Sequence, residues 1–337
     1  MATGPHTIRI ARTAPAALDH TFVVGETPTD PTGNAATIAI TAADGSTVVA
    51  STAAIYDTAG RFTYALAGQA DLNLYYADWT ATFSGSAVVD RDIIEIVGAR
   101  YFTLKDGRDS DELLADTAKY PLSLLEDARL EVEQEIEQIC DRAFVPSYRR
   151  AVLDGTGTST ILLTDTEWAA RARSAGDIRR IRSATIAPRY GETAVALTVG
   201  ELAACAVTAD GSLRRTDGRA WTEGTANVVI VYEYGLDRPP ADLIRAAFTR
   251  FRARLNIARS GIPDRASSFT VQGGGSYRLD LPDTYKTGIP DVDAVYGRYS
   301  RRAEAGTGDT EDGSGRPASR TLTFNPQRAS MFHGKGF

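Results

Sequence analysis

The sequence predicts an α+β protein of several domains: an N-terminal β-sandwich, then a core of long helices with an inserted β-sheet subdomain, then an extended C-terminal tail. Three observations predict this class. Residues 1–97 contain short strand patterns and no helical period. Two long segments with apolar residues three and four positions apart follow, and further strand patterns separate them. Residues 303–320 lack large apolar side chains, which is typical of a flexible linker.

The composition excludes several classes of protein. The 337 residues carry a net charge of −6, whereas general nucleic-acid binders are usually basic. Two cysteines, Cys140 and Cys205, are too few for a disulfide framework or a four-cysteine zinc site, and we expect both to be small core residues. No apolar run approaches the roughly 20 residues of a membrane helix, and the N-terminus lacks the apolar region of a secretory signal. We therefore expect a soluble, non-enzymatic protein that uses no cofactor and no metal.

Residues 1–97 are expected to form an antiparallel sandwich that is Ig-like in the broad sense. Turn signals such as Asp44-Gly45 and Ser84-Gly85 separate the strand patterns. Trp79 and Tyr75 are assigned to the core, and a sugar-binding platform is the alternative. The predicted strands are HTIRIAR, TFVVG, ATIAITA, STVVAST, RFTYALA, LYYADWTATF and DIIEIVG.

Residues 98–302 are expected to form the core domain, and residues 98–112 to be a charged connector. A helix is predicted at about 121–143, because Pro121 suits a first helical turn and one apolar stripe follows it. That stripe consists of Leu122, Leu125, Ala128, Val132, Ile136, Ile139 and Ala143. A second helix is predicted at about 240–259, with one face formed by Leu243, Ile244, Ala247, Phe251, Leu255 and Ala258.

The inserted sheet is predicted within residues 148–235. Asp154-Gly155-Thr156-Gly157 is interpreted as a hairpin turn rather than a dinucleotide-binding loop, because the third glycine of that motif is missing. Further predicted strands are IRRIRSATI, TAVALTV, AACAVTA, NVVIVYEYG and SYRLDLP. Short helices are predicted at 166–176 and at 291–302.

Charged residues follow the flanks of both long helices and form a candidate subunit interface. Glu126, Glu133 and Glu137 share one flank of the first helix. Arg245, Arg252 and Arg259 lie seven residues apart on the second helix. Three interpretations stay open for the arginines: contact with phosphates, pairing with the glutamates within the chain or across subunits, or simple solvation.

The C-terminal segment 321–337 is predicted to be a docking tail. It follows the linker and carries apolar side chains that cannot form a core of their own, and its TLTF sequence alternates as an added edge strand would. The candidate docking residues are Leu322, Phe324, Met331, Phe332 and Phe337.

Short segments occur in a fixed order along the middle of the chain: VEQEIEQICDRAFVP at 132–146, LDGTG at 153–157, VYEYG at 231–235, PPADL at 239–243, YRL at 277–279 and TGIPDVDAV at 287–295. With them, residues 100–302 resemble the head-to-tail adaptor, or connector, proteins of long-tailed bacteriophages, in the form found in phages of actinobacteria. The resemblance covers about 200 residues and leaves out the sandwich and the tail.

This resemblance implies a virion protein of the phage neck that assembles in the host cytoplasm. It would form a homo-oligomeric ring, expected to be dodecameric, between the portal protein and a stopper or tail protein. Genomic DNA would pass through the lumen without sequence-specific binding, and no membrane is involved. The alternative is a virion or surface binding module whose Ig-like domain recognises carbohydrate or protein. An unrecognised hydrolase is the third hypothesis.

Overall fold

The computed structural model of the chain describes residues 6–163, 177–189, 191–208, 211–257, 268–271, 275–278 and 285–300. Strands in several sheets combine with a few helices, so the fold is mixed. The chain divides into two compact units: Met1–Gln134 with Ala143–Gly261, and Glu135–Arg142 with Ile262–Phe337. The predicted domain boundaries at residues 97 and 302 stay predictions.

The strands and helices have the following bounds. The strands up to the first helix are β1 (Thr7–Ala11), β2 (Ala16–Thr21), β3 (Val23–Val24), β4 (Thr27–Pro28), β5 (Ala36–Ala42), β6 (Thr47–Ala53), β7 (Ile55–Thr58), β8 (Arg61–Leu66), β9 (Asn73–Phe83) and β10 (Ser86–Val97). The later strands are β11 (Ser147–Gly155), β12 (Thr160–Leu162), β13 (Ile178–Ile186), β14 (Val195–Ala196), β15 (Cys205–Val207), β16 (Ser212–Arg215), β17 (Gly224–Tyr234), β18 (Ser268–Val271) and β19 (Gly275–Arg278). The helices are α1 (Leu104–Asp109), α2 (Leu122–Cys140), α3 (Val199–Ala203), α4 (Ala241–Ile257) and α5 (Pro290–Tyr299).

Two sheets enclose the N-terminal core. One has the strand order β1-β10-β9-β5-β6 and the other β2-β8-β7. Alternate residues of β9 point inward, as the period of a strand requires, and they bury Tyr75, Ala77, Trp79 and Ala81. The prediction that Trp79 and Tyr75 are core residues is therefore confirmed.

The first strand corrects the prediction of a purely antiparallel sandwich. β1 pairs with β10 in parallel, from Thr7 opposite Ile93 to Ala11 opposite Val97. No hairpin joins these two strands, because the chain leaves β1 for β2 in the other sheet and returns to β10 much later. Either direction was therefore open to β1 at the sheet edge.

Strand β2 was not predicted, because three of its six residues, Ala16, Ala17 and Asp19, are of types that are rare in strands. It nevertheless alternates. Leu18 and His20 are buried, whereas Ala17 and Asp19 are exposed.

The charged connector contains the short helix α1, which the sequence analysis did not predict. Thr103 and Asp106 form a capping box, in which each side chain binds the backbone of the other residue. A threonine followed three residues later by an acidic side chain is close to the known sequence signal for a helix start. That signal was present and was missed.

Helix α2 matches the first predicted helix within three residues. Leu125, Val132 and Ile136 are fully buried, as the stripe predicts, but Leu122 is 57% exposed and does not belong to the core. The helix ends at Cys140 rather than at 143, because Asp141 adopts the left-handed conformation with φ of 56°.

Helix α4 matches the second predicted helix. Its buried face includes Leu243, Ala247, Phe251 and Leu255, whereas Ile244 is only partly buried. Residues 258 and 259 of the predicted helix lie outside the described residues.

The second β region has two sheets, ordered β11-β17-β13-β14 and β12-β16-β15. Strands β11 and β12 lie in different sheets, so the predicted hairpin turn at residues 154–157 is wrong. Glycine is needed there for another reason: a Cβ at Gly155 would lie 1.7 Å from the carbonyl oxygen of Thr222. Helix α3 replaces the end of the predicted strand TAVALTV, and the predicted helix 166–176 lies outside the described residues.

The second unit contains the hairpin β18–β19 and helix α5. Asp293 of α5 accepts hydrogen bonds from the backbone N–H (2.7 Å) and hydroxyl (2.9 Å) of Thr287, which fixes the chain entering the helix. Cys140 is buried, as predicted, and its thiol donates to the carbonyl of Tyr296 at 3.5 Å. Cys205 is only partly buried. The predicted linker 303–320 and docking tail 321–337 lie outside the described residues.

Candidate functional site: charged clusters and exposed edges

Glu133 of α2 is the centre of a buried group that we call the arginine–glutamate cluster. Its carboxylate accepts hydrogen bonds from Arg9 at 3.4 Å, from Arg100 at 3.2 Å and from the backbone N–H of Tyr101 at 3.1 Å. Arg9 also donates to Glu95 at 2.9 Å. One fully buried carboxylate therefore joins the N-terminal sheet, the connector and α2.

Burial dominates the electrostatics of this cluster. It lowers the pKa of Arg100 to about 10, although the carboxylate of Glu133 opposes that shift and the nearby charges of Arg129 and Arg9 add to it. Burial likewise lowers the pKa of Arg129, which completes the cluster. The pKa of Arg100 stays well above 7, and the carboxylate of Glu133 acts on two arginines, Arg100 and Arg129.

Glu133 was predicted to lie on a charged flank with Glu126 and Glu137, available to neighbouring subunits. That prediction is wrong, because Glu133 is fully buried and its partners belong to the same chain. Helical spacing alone could not reveal this, since Arg9 is 124 residues away along the chain. Glu126 is exposed and Glu137 is partly buried, and their place in a subunit interface stays a prediction.

The predicted arginine stripe is also divided. Arg245 is exposed, whereas Arg252 is partly buried and donates to the carbonyl of Ser110 at 3.4 Å. Arg259 lies outside the described residues. The interface role of these three arginines stays a prediction as well.

One contact between charged side chains of α2 and α4 involves two residues outside those stripes. Arg254 lies 3.5 Å from Glu131, and both side chains are substantially exposed. Because Arg254 does not belong to the predicted stripe, this pair leaves the three interpretations of the stripe open.

A second buried group, the histidine–aspartate cluster, lies between the two N-terminal sheets. The two ring nitrogens of His20 on β2 lie 3.2 Å from Asp92 and 3.2 Å from Asp90, both on β10. Asp92 also accepts the indole N–H of Trp79 at 2.9 Å. Among the described residues, the second carboxylate oxygen of Asp90 is buried without a hydrogen-bond partner.

The two aspartates make His20 a stronger base. Burial lowers its pKa, but the hydrogen bonds and charges of Asp92 and Asp90 outweigh burial, and the pKa is raised. Sequence reasoning missed this cluster. Its signal was the pattern Asp90-Arg91-Asp92, which places two acidic side chains on the same face of a strand.

One side of the N-terminal region exposes two consecutive edge strands. β6 ends the five-stranded sheet and β7 ends the three-stranded sheet. All residues of β6 except Val49 are exposed, as are all four residues of β7. Ile55 is 67% exposed. Residues 46–56 contain no charged residue and no proline, so two common protections of a sheet edge are absent there, whereas the register of β6 against β5 is irregular.

Three exposed leucines lie in the first turn of α2 and in the segment that precedes it. Leu122 and Leu124 of the helix are exposed, and so is Leu113 in the 3-10 helical turn that precedes it. These three leucines are among the largest exposed apolar side chains of the described residues.

Within the described ranges, no three or more His, Cys, Asp or Glu side chains are grouped so that they could hold a metal ion. None of the described helices has the length and apolar character needed to span a membrane. Comparison of the sequence with protein-family models and with curated proteins found no match.

Proposed function

We propose that this chain is a structural virion protein of a phage neck. In this proposal it forms a ring between the portal protein and a stopper or tail protein, has no catalytic role, and lets genomic DNA pass through its lumen. The host cytoplasm is its site of assembly, and the head–tail interface of the virion is its final location. The N-terminal Ig-like sandwich projects from the ring.

The order of elements from α2 to α5 carries the proposal. The resemblance to adaptor proteins implies a long helix, then a sheet, then a second long helix. The chain has α2, then β11 to β17, then α4, and the short helix α5 follows. The quoted segments 231–235 and 287–295 fall on β17 and α5.

Two further features support a ring. The exposed leucines at the start of α2 are apolar surface that a neighbouring subunit would cover, and heterologous contacts between identical subunits close into rings. The middle region, residues 98–265, holds 24 basic and 25 acidic residues. A strongly basic lumen would retain DNA through its phosphates, so near neutrality suits a passage.

The alternative function, carbohydrate binding by the N-terminal domain, has no support from the two aromatic residues considered for it. Trp79 and Tyr75 are buried, so they offer no aromatic surface to a sugar. Protein recognition by the N-terminal domain keeps support from the exposed edge of β6 and β7.

The test combines the purified full-length chain with the portal protein encoded by the same genome. We expect rings, seen by mass in solution and by negative-stain imaging, either alone or on the portal.

Deletion of residues 321–337 should leave the rings intact and abolish attachment to the neighbouring neck component. A monomer that ignores the portal would refute the neck assignment, and unchanged attachment of the deletion variant would refute the docking role of the tail.

A further inference from the structure

We propose that the edge strand β6 is the receiving site for residues 321–325 of a neighbouring copy, which add to the five-stranded sheet as a sixth strand. This inference rests on the proposed ring. It assigns residues 321–325 to the next copy, and residues 326–337, which include Met331, Phe332 and Phe337, remain for the neighbouring neck component. In this contact, Thr47–Ala53 is the strand that accepts a new neighbour, and Thr321–Asn325 is the segment that adds to it.

The receiving half follows from the sheet topology. Strand β6 pairs with β5 and has no strand on its other side among the described residues. Such an edge leaves backbone N–H and C=O groups without ladder partners, and most proteins protect it with charges, prolines or a covering segment. Residues 46–56 provide neither charge nor proline over eleven consecutive positions. A ladder of main-chain hydrogen bonds with an added strand would satisfy this edge.

The inserting half follows from the sequence of the tail. Thr321, Leu322, Thr323 and Phe324 alternate between β-branched polar and large apolar side chains, which is a strand pattern. Pro326 then ends the segment, because proline cannot donate to a ladder. An added strand of five residues has the usual length for strands in globular proteins.

Charge complementarity selects this segment over other strands. Residues 1–97 hold 10 acidic and 4 basic residues, and Asp44 and Asp57 flank the uncharged stretch. Residues 316–337 contain Arg316, Arg320, Arg328 and Lys335 and no acidic side chain. An acidic domain therefore meets a basic tail, and Arg320 and Arg328 bracket the inserting strand as the two aspartates bracket β6.

A second copy of β6 is a poorer occupant, because it would bring two acidic domains together.

The linker is long enough to allow a contact between copies. A Gly- and Ser-rich chain with the length of residues 303–320 has a root-mean-square span of about 25 Å. That is close to the diameter of about 30 Å for a domain of roughly 100 residues, so a tail can reach an adjacent subunit.

The experiment uses two full-length variants that differ in tag size, Thr52→Cys on β6 and Thr323→Cys in the tail. They are mixed with the portal protein and treated with a short bismaleimide. We expect a cross-linked product that contains one chain of each variant. Unmodified protein measures the background from the natural cysteines, of which Cys140 is buried and Cys205 is partly buried. The matched control replaces Thr52→Cys by Thr82→Cys, which is exposed on β9 inside the same sheet and should give at least tenfold less product.

A charge-reversal variant tests the same contact without touching the folded strands. Arg320→Glu with Arg328→Glu, placed in the Thr323→Cys chain, should lower the cross-linked yield about fivefold, since two exposed charge pairs are lost. Added salt should lower the yield of the original pair in the same direction.

Each other result overturns either the inference or the neck assignment. Cross-linking of Thr52→Cys chains to each other would mean that β6 pairs with β6. Cross-linking within a single chain that carries both cysteines, at high dilution, would place the tail on its own copy. No product at all would leave β6 unused. Rings on the portal without the mixed product would refute this contact alone. Mixed product without rings or portal binding would keep the contact and refute the neck assignment.

Discussion

The arginine–glutamate cluster and the histidine–aspartate cluster both hold ionised groups inside the protein, but only the second contains a group that titrates near neutral pH. Glu133 faces guanidinium groups, and the pKa of Arg100, though lowered to about 10 by burial, stays well above 7. Asp90 and Asp92 face an imidazole, whose charge depends on pH in the physiological range.

Because their groups titrate in different pH ranges, the two clusters affect the protein in different ways. The arginine–glutamate cluster connects elements that are far apart in sequence, and the pKa of Arg100 keeps its guanidinium charged at neutral pH. The histidine–aspartate cluster lies within one pair of sheets, and a proton on His20 lets both ring nitrogens donate to its two aspartates. The first cluster therefore fixes the attachment of α2 to the N-terminal sheet, and the second links the stability of that sheet pair to pH.

The largest expected effect comes from Glu133→Gln. The substitution keeps the shape of the side chain but leaves Arg9 and Arg100 buried without their shared carboxylate. Breaking a buried ion pair by removing one partner costs about 3–5 kcal/mol. We expect a loss of this size in the free energy of unfolding of the full-length chain, measured by urea denaturation.

The control for this prediction lies on the same helix. Glu126→Gln changes an exposed side chain and should alter the free energy of unfolding by no more than about 0.5 kcal/mol. Equal effects of the two variants would mean that the arginine–glutamate cluster contributes no more than an exposed charge does.

The next effect is a dependence of stability on pH. Because the folded-state pKa of His20 is raised above its ordinary value of 6.5, its contribution is fully present below pH 6.5. The contribution is lost as the pH rises through the raised folded-state pKa. Hydrogen bonds to charged groups contribute about 1.5–3 kcal/mol, so we expect a loss of that order between pH 6 and 9. Urea unfolding followed by tryptophan fluorescence measures it.

His20→Asn supplies the matched comparison, since asparagine cannot titrate. Its unfolding free energy should be lower than that of the natural chain at pH 6, and the difference between the two should shrink as the pH rises. A difference that stays constant from pH 6 to 9 would show that protonation of His20 does not hold the cluster together.

The elements that repeat a pattern could be predicted from the sequence. The apolar residues of α2 and α4 recur every three or four positions, and the strand patterns ATIAITA and IRRIRSATI coincide with β5 and β13. Such periods arise from local geometry and one buried face. The prediction failed where residue types that are rare in strands occur, as in β2. It also failed where a helix cap was overlooked, as at Thr103.

The clusters could not be predicted, because they depend on contacts across long stretches of chain. Glu133 meets Arg9 over 124 residues, and His20 meets Asp92 over 72. A glutamate beside an apolar stripe has the same sequence pattern whether it is solvated or buried. Only the fold, which brings β1 and the connector onto α2, decides that Glu133 is inside and Glu126 outside.

The smallest expected effect belongs to the exposed pair Arg254–Glu131 between α4 and α2. A double-mutant cycle with Arg254→Ala and Glu131→Ala should give a coupling energy of about 0.2–1 kcal/mol, because water screens both charges and both long side chains lose conformational freedom. The coupling should fall further at 1 M salt, where the Debye length is about 3 Å. A coupling as large as the cost of Glu133→Gln would erase the distinction between buried and exposed charge in this protein. A small value would mean that this exposed pair adds little to the stability of the chain, whereas the buried carboxylate of Glu133 contributes several times more.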